Sequence, residues 1–363
     1  MNVCLIGKNL TNLVLANNLA KKNLHIDIVF LNKKVKNSSN RTLAISKNNF
    51  DFLLKIDKKI NFYAWPINNI KIYSNKNNSK ELFKFKSKKK ENFFLLKYNK
   101  IFKFFENKCK KNKNIIFKNL NNQTKIQNIF EKNNYNLVIF SDSNYMHKKK
   151  YLSKRVEKNY NSIAYSAMIN HETKKNNDAI QIFTKYGPLA FLPVSKNRTS
   201  IVFSILKSSK INEFKIFNLI KKYNFNYKIK KISKIEKFDL KFFILRNYVF
   251  KNILFFGDLA HKIHPLAGQG FNMTIRDIKI LSSLIDEKID LGLDLDKSLL
   301  RDFQSKTKHL HYIFGVGIDF IYNFFNIDNK TNNLLSESFF NVFKKNKFLN
   351  KYATLIADKG INI

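Results

Sequence analysis

The chain is poor in the residues that usually punctuate a fold: two cysteines, four prolines, nine glycines and one tryptophan in 363 residues. Cys4 and Cys109 supply neither a disulfide framework nor a cysteine-based metal site, so inert thiols in a reducing compartment are expected. So few glycines and prolines mark no flexible linker, and no internal repeat divides the chain. No window approaches the ~20 apolar residues that a membrane-spanning helix needs. The first residues also lack the charged start, apolar run and small-residue cleavage site of a secretory signal. These absences lead to the expectation of a cytoplasmic protein, free to rest on a membrane surface.

Acidic side chains are scarce as well, 26 against 67 Lys plus Arg, for a formal charge of +41. Such an excess first suggests a nucleic acid. Only Arg41, Arg155, Arg198, Arg246, Arg276 and Arg301 are arginines, however, and arginine does most bidentate phosphate and base recognition. The lysines are scattered among Asn, Ile and Phe without a basic stripe. That is a compositional bias coating the surface, and no nucleic-acid partner is expected.

What is present is a strand–turn–helix opening, MNVCLIGKNLTNLVLANNLA. The apolar run ending at Ile6 leads into Gly7, then into a helix over 10–22 and a strand over 26–31, the order of a phosphate-binding βαβ unit. The glycine fingerprint is incomplete, with Asn9 and Asn12 at its second and third glycine positions. Ser46 is placed to cap a helix carrying Phe50, Leu53 and Leu54. Alternating segments at 69–74 and 82–86, a helix over 99–111, and strands at 114–117 and 136–140 follow. Between about 160 and 240 closely spaced strands predict a mostly antiparallel sheet. NILFFGD (252–258) is again a buried strand, and residues 296–359 are helical in pattern. A nucleotide-type lobe interrupted by a sheet lobe and then resumed predicts an α/β (α+β) two-lobe protein.

The richest stretch is GDLAHKIHPLAGQGFNMTIRDIKILSSLI, from Gly257 to Ile285. Gly257 and Asp258 follow a buried strand, where α/β sheets hold ligands, and Asp258 can accept hydrogen bonds from ligand hydroxyls. Gly268-Gln269-Gly270 opens a helix with apolar positions 271, 275, 278, 281 and 285 on one face. Bare backbone and the helix dipole there favour a ligand that gains negative charge.

This pattern of G-D-x-A-H, Pro265, Gly268-Gln269-Gly270, Asn272 and Asp277 resembles the C-terminal FAD fingerprint of class A flavoprotein monooxygenases. In detail it is similar to the ubiquinone-biosynthesis hydroxylase branch. Arg41-Thr42-Leu43-Ala44-Ile45-Ser46, WPINNIKIYS (65–74) and FTKYGPLAFLPV (183–194) resemble further elements of that branch in the same order. The resemblance implies a Rossmann-like FAD lobe (1–68, 93–150 and 245–290), an interleaved antiparallel substrate lobe (69–92 and 151–244) and a helical region (291–363).

It also implies the function: hydroxylation of a polyprenylated phenol or quinol in ubiquinone biosynthesis, through a flavin hydroperoxide formed with O2, with NADH or NADPH as electron donor. The implied cofactor site comprises Gly7, Asn9, Asn32, Arg41, Asp142, Gly257, Asp258, Pro265, Gly268, Gln269, Gly270 and Asn272. His264 and Pro265 are the candidates beside the reacting ring, and no metal is expected.

The chain departs from the family at Asn9 and Asn12, at Asn32 where an acidic ribose ligand is expected, and at Ser143 where an Asp-Gly element loses its glycine but keeps Asp142. Asparagine tolerates the left-handed backbone, so the turn can survive its lost glycines. Weakened FAD binding is expected at the adenosine end. The competing reading is a noncatalytic accessory subunit of a quinone-biosynthesis assembly; a flavin halogenase is disfavoured because Trp65 is the sole tryptophan. A lipid-tailed substrate implies a peripheral site on the inner membrane face, with the aromatic segment 311–325 resting on anionic lipid.

Overall fold

The computed structural model describes residues 1–31, 41–74, 81–86, 91, 93–120, 129, 135–142, 154–209, 211–263 and 269–328. Among these, a six-stranded sheet runs in the order Val249–Phe250, Ile253–Phe255, Leu137–Phe140, Asn2–Ile6, His25–Leu31, Ile115–Leu120. Every pairing in it is parallel except the outer hairpin of Val249–Phe250 with Ile253–Phe255. Parallel strands covered on both faces read as unbroken apolar runs, and LVIF and ILF are buried at every position.

Helix α1, Leu10–Leu19, continues from the first strand. The helix expected to reach 22 gives way to a 3-10 turn over Ala20–Lys22, closed by Asn23 in the left-handed region at φ 55°. Helix α2, Lys47–Ile56, buries Phe50, Leu53 and Ile56, and the Phe50 ring stacks on Phe94 at 3.9 Å. Ser46 stands at its N-cap as expected, yet its hydroxyl makes no cap bond. Helix α3, Tyr98–Lys110, follows the strand Phe93–Lys97, which pairs with Thr42–Ser46 and Ala64–Ile67 in a small antiparallel sheet.

The third sheet is built on Arg155–His171, paired antiparallel with Arg198–Leu206 and Glu236–Leu245. Gly187–Ser195 and Asp178–Thr184 extend it, and Asn69–Ser74 joins by running parallel to Asp178–Thr184. Helix α4, Glu213–Tyr223, covers an apolar cluster of its own on this sheet. The larger core joins both major sheets, from Leu5 and Ile139 to Phe242 and Ile244.

Helix α5, Gln269–Asp290, buries Ile275, Ile278, Leu281 and Ile285 completely, as the 3.6-residue spacing demands. Phe271, at the head of the same stripe, is half-buried. Helix α6, Lys297–Asp328, lays Phe303, Phe314 and Ile318 against the core. Gly315 lets it approach the third sheet: an added Cβ would meet the Phe242 ring at 2.8 Å and Ile244 at 3.0 Å. The helical residues expected from 329 to 359 lie outside the described residues.

Gly187, in the FTKYGPLAFLPV segment, has φ +132° and would place a Cβ 2.1 Å from the Ser204 carbonyl oxygen. Both conformation and space therefore require glycine. Gly187→Ala is expected to destabilise the fold by roughly 3 kcal/mol or more, read as a lowered denaturant midpoint with unchanged m. A midpoint within experimental error of wild type would contradict the packing.

Candidate functional site

Three neighbouring parallel strands end together. Ile6 lies in register with Phe140, and Phe140 with Phe255, so the turns that follow emerge side by side. Those turns are Gly7, Ser141-Asp142 and Phe256-Gly257-Asp258. Backbone bonds carry the register past the strand ends: Gly7 donates to Val29, Ser141 to Ile6 and Phe256 to Phe140, at 2.8, 3.1 and 2.9 Å. This carboxyl edge is where open α/β sheets bind ligands.

Close approach demands the two turn glycines. Gly7 has φ +116°, and a Cβ there would stand 2.7 Å from the Asp142 Cβ. Gly257, φ +59°, is pressed between Thr11 of α1 and Thr274 of α5, both within 3.5 Å of a built Cβ. Asp258 follows in a single 3-10 turn and is exposed.

The two asparagines in the fingerprint act through their side chains. Asn9 is the N-cap of α1, accepting from Asn12 N at 3.0 Å, and its amide donates to Ser141 Oγ at 2.8 Å. Its backbone is extended, φ −132°, so the left-handed tolerance expected of it is not used. The positive φ falls at Gly7 instead. Asn12 is fully buried and donates to the Gly7 carbonyl at 2.7 Å, while its Oδ1 has no hydrogen-bond partner. A side chain thus fills space that glycine would leave for helix–strand contact, and it staples the turn from below.

Arg41 sits beside this edge. Its carbonyl accepts from Tyr98 N at 3.0 Å, and its guanidinium lies 4.7 Å from the Tyr98 ring centroid. The Tyr98 phenol is held above its usual pKa, first by burial and further by Asp258, against the opposing pull of Arg41. The Leu10 amide at the head of α1 also draws it down. Arg41, Asp258 and the head of α1 therefore converge around Tyr98, a residue with no sequence signature to mark it.

At the other end of the fingerprint, Gly270 stands in the first turn of α5, with no described residue within 4 Å of a built Cβ. Asn272 is fully buried and committed to protein: it accepts from Ser46 N at 2.9 Å and donates to the Ala44 carbonyl at 2.7 Å. It anchors α5 to the strand Thr42–Ser46. Asn32, His264, Pro265 and Gly268 lie outside the described residues, and of Gln269 only the backbone is described.

A second polar constellation joins two fingerprint residues, His261 and Asp277, to His311 and Tyr248, which the sequence reading did not single out. His261 Nε2 meets Asp277 Oδ2 at 2.7 Å, His311 Nε2 meets Asp277 Oδ1 at 2.6 Å, and the Tyr248 hydroxyl meets His311 Nδ1 at 2.8 Å. All four side chains are buried. Burial raises the Asp277 carboxyl, but the adjoining His311 and His261 outweigh it and hold the group at about 2. Burial takes His311 below the usual histidine value. These three could in principle ligate a metal. Their 2.6 and 2.7 Å separations are hydrogen-bond lengths. Ligands on a tetrahedral zinc at ~2.0–2.1 Å stand roughly 3.3 Å apart.

Residues 206–290 match the family model described as an FAD binding domain. The chain is 35% identical over 95 residues to the mitochondrial ubiquinone biosynthesis monooxygenase COQ6 of Dictyostelium discoideum, covering 26% of this chain and 19% of that protein. It is 25% identical over 215 residues to the Caenorhabditis elegans COQ6, covering 47% and 48%. To the Escherichia coli 3-demethoxyubiquinol 3-hydroxylase it is 29% identical over 150 residues, covering 39% and 38%. These matches span less than half the length of each relative. Among solved structures, p-nitrophenol 4-monooxygenase PnpA from Pseudomonas putida superposes with TM-score 0.78 at 11% identity, over 99% of this chain and 98% of that one. PqsL, a probable FAD-dependent monooxygenase from Pseudomonas aeruginosa, gives 0.71 at 13%, over 91% and 97%. Over part of its length the chain is thus similar in sequence to ubiquinone-biosynthesis monooxygenases, and it shares the fold of the FAD-dependent monooxygenases.

Proposed function

We propose that this protein is an FAD-dependent hydroxylase acting on the aromatic ring of a polyprenylated phenol or quinol in ubiquinone biosynthesis. The observation that carries the reading is the convergence of Gly7, Asp142 and Gly257-Asp258 on the head of α1, in a chain related to hydroxylases of that route.

The residues fit FAD. Gly7 offers bare backbone to the pyrophosphate, Arg41 offers a cation, and Asp258 offers an exposed carboxylate to ligand hydroxyls. No described residue crowds Gly270, which suits the approach of the flavin pyrimidine edge to the first turn of α5, where the helix dipole favours negative charge. Pro265, Gly268 and His264 are assigned to the ring side on sequence alone. The Asn12 amide of α1 is already engaged by Asn9, so phosphate recognition falls more heavily on Arg41. When bound, FAD supplies the redox and oxygen chemistry, with electrons from NADH or NADPH and O2 as co-substrate. The protein's part is to bind, orient and exclude water.

The lipid-tailed substrate also assigns the protein a place at an anionic membrane surface on the inner membrane face, beside partners of a quinone-biosynthesis assembly. No described helix is long and apolar enough to cross a membrane. On α6, however, Tyr312, Ile313, Val316 and Phe320 are 51%, 52%, 45% and 61% exposed along one face. Lys308 lies exposed one turn earlier. An apolar stripe running into a lysine suits the interface of an anionic bilayer.

Gently purified protein is expected to show the visible absorption of bound flavin, or to acquire it on adding FAD. A colourless protein that takes up none would leave only the accessory-subunit reading. Asp258→Ala is expected to abolish flavin retention. Asn9→Gly is expected to cost up to about 1 kcal/mol of stability through the lost cap and Ser141 bonds, while leaving FAD affinity unchanged or tighter. Equal losses of FAD in both variants would refute the two-ended site. In flotation assays, wild type should bind phosphatidylglycerol vesicles at low salt, and a double Val316→Ser, Phe320→Ser variant should not; indifference of wild type to such vesicles would remove the membrane assignment.

A further inference from the structure

The buried constellation around Asp277 is not explained by anything above. Its carboxylate is divided evenly: Oδ2 takes His261, from the short strand His261–Lys262, and Oδ1 takes His311, from the middle of α6. The two imidazoles lie against each other with centroids 4.3 Å apart. Tyr248, fully buried, closes the far side by bonding His311 Nδ1. Four segments are thus joined in one chain of hydrogen bonds. Each carboxylate oxygen is matched by one imidazole nitrogen, and the neighbouring Arg276 lies over the Phe314 ring of α6. A buried carboxylate is costly unless fully bonded, so this arrangement tolerates little displacement of any member.

Its place in the chain gives it leverage. His261 follows Gly257-Asp258 by three residues, and Asp277 follows Gly270 by seven, two helical turns. Asn272 pins the first turns of α5 toward the strand Thr42–Ser46, and Asp277 pins the next turns toward the Gly257–Leu259 turn and α6. Two anchors roughly 7.5 Å apart along the axis fix both roll and translation of a helix. Core apolar contacts alone permit small sliding; directional bonds do not.

We propose that His261, Asp277 and His311, backed by Tyr248, are positioning residues for the flavin. They hold the amino-terminal turns of α5 and the Gly257-Asp258 turn in the mutual register that FAD binding requires. This rests on the flavin reading above and extends it to residues that touch no cofactor. It also makes α6 part of the cofactor site at one remove, because one of the two bonds comes from that helix.

The test compares His311→Leu, His311→Gln and Tyr248→Phe with wild type. Each is measured for FAD dissociation constant by fluorescence titration, for visible circular dichroism of the bound flavin, and for the melting temperature of the FAD-free protein. Glutamine can return an N–H to Asp277 where leucine cannot. His311→Leu is expected to weaken FAD about tenfold, or about 1.4 kcal/mol, and to change the flavin dichroism at temperatures where the protein is folded. His311→Gln should restore most of the affinity, and Tyr248→Phe, which keeps the ring and folds if leucine does not, should lose about threefold. Lowered melting temperatures with wild-type FAD affinity and dichroism in all three would make the cluster merely structural and overturn the proposal. So would zinc retained in stoichiometric amount by wild type. Failure of wild type itself to take up FAD overturns this inference together with the proposed function, whereas uptake that the variants leave unaltered overturns this inference alone.

Discussion

The arrangement depends on the parallel registration of three short strands. Asn2–Ile6, Leu137–Phe140 and Ile253–Phe255 come from widely separated parts of the chain, and only their pairing brings Gly7, Asp142 and Asp258 to one edge. Each strand has five residues or fewer, so few ladder bonds define the alignment. Complete burial supplies the rest: slipping by one residue would turn every side chain to the opposite face, against helices packed for the present one. Helices α1 and α5 then meet at Gly257, between Thr11 and Thr274, and that contact sets how the two ends of the site face each other.

In a chain with nine glycines, asparagine side chains take over tasks that backbone freedom would otherwise perform. Asn9 caps a helix and ties two turns, Asn12 supports the first turn from beneath, and Asn272 links α5 to a neighbouring strand. The cost is visible in the buried, unpartnered Oδ1 of Asn12. The gain is a turn held by side-chain bonds. It is a stiffer solution than glycine, and it spends a helix amide that an anion would otherwise find free.

Much of this was legible in the residues. The fixed spacing from Gly257 to Asp277 marked the second half of the site, and the apolar stripe of α5 followed from helical periodicity because burial there is one-sided. The first half was recognisable by its strand–turn–helix order, although the role of its asparagines was not: a side-chain cap and a left-handed backbone are alternatives that the letter N does not distinguish. Tyr98 and the Asp277 cluster were illegible for another reason. Their significance lies in partners that no motif spacing announces, His311 lying 34 residues from Asp277 and Tyr248 63 from His311. His264, chosen for its neighbourhood in sequence, drew attention from His261, whose importance comes from what faces it across the fold.

Helix α6 touches both large sheets. Phe303 lies against Phe256 below the parallel sheet, His311 joins the Asp277 cluster, Gly315 rests on Phe242 and Ile244 of the antiparallel sheet, and Asp319 pairs with Lys158 on that sheet's longest strand. A single rigid rod fastened to both lobes acts as a splint. The lobes cannot open on that side without bending a helix of 32 residues or prising its glycine from two core side chains. Breathing that admits a bulky molecule between them must therefore pivot about α6, with the widest travel on the face farthest from it.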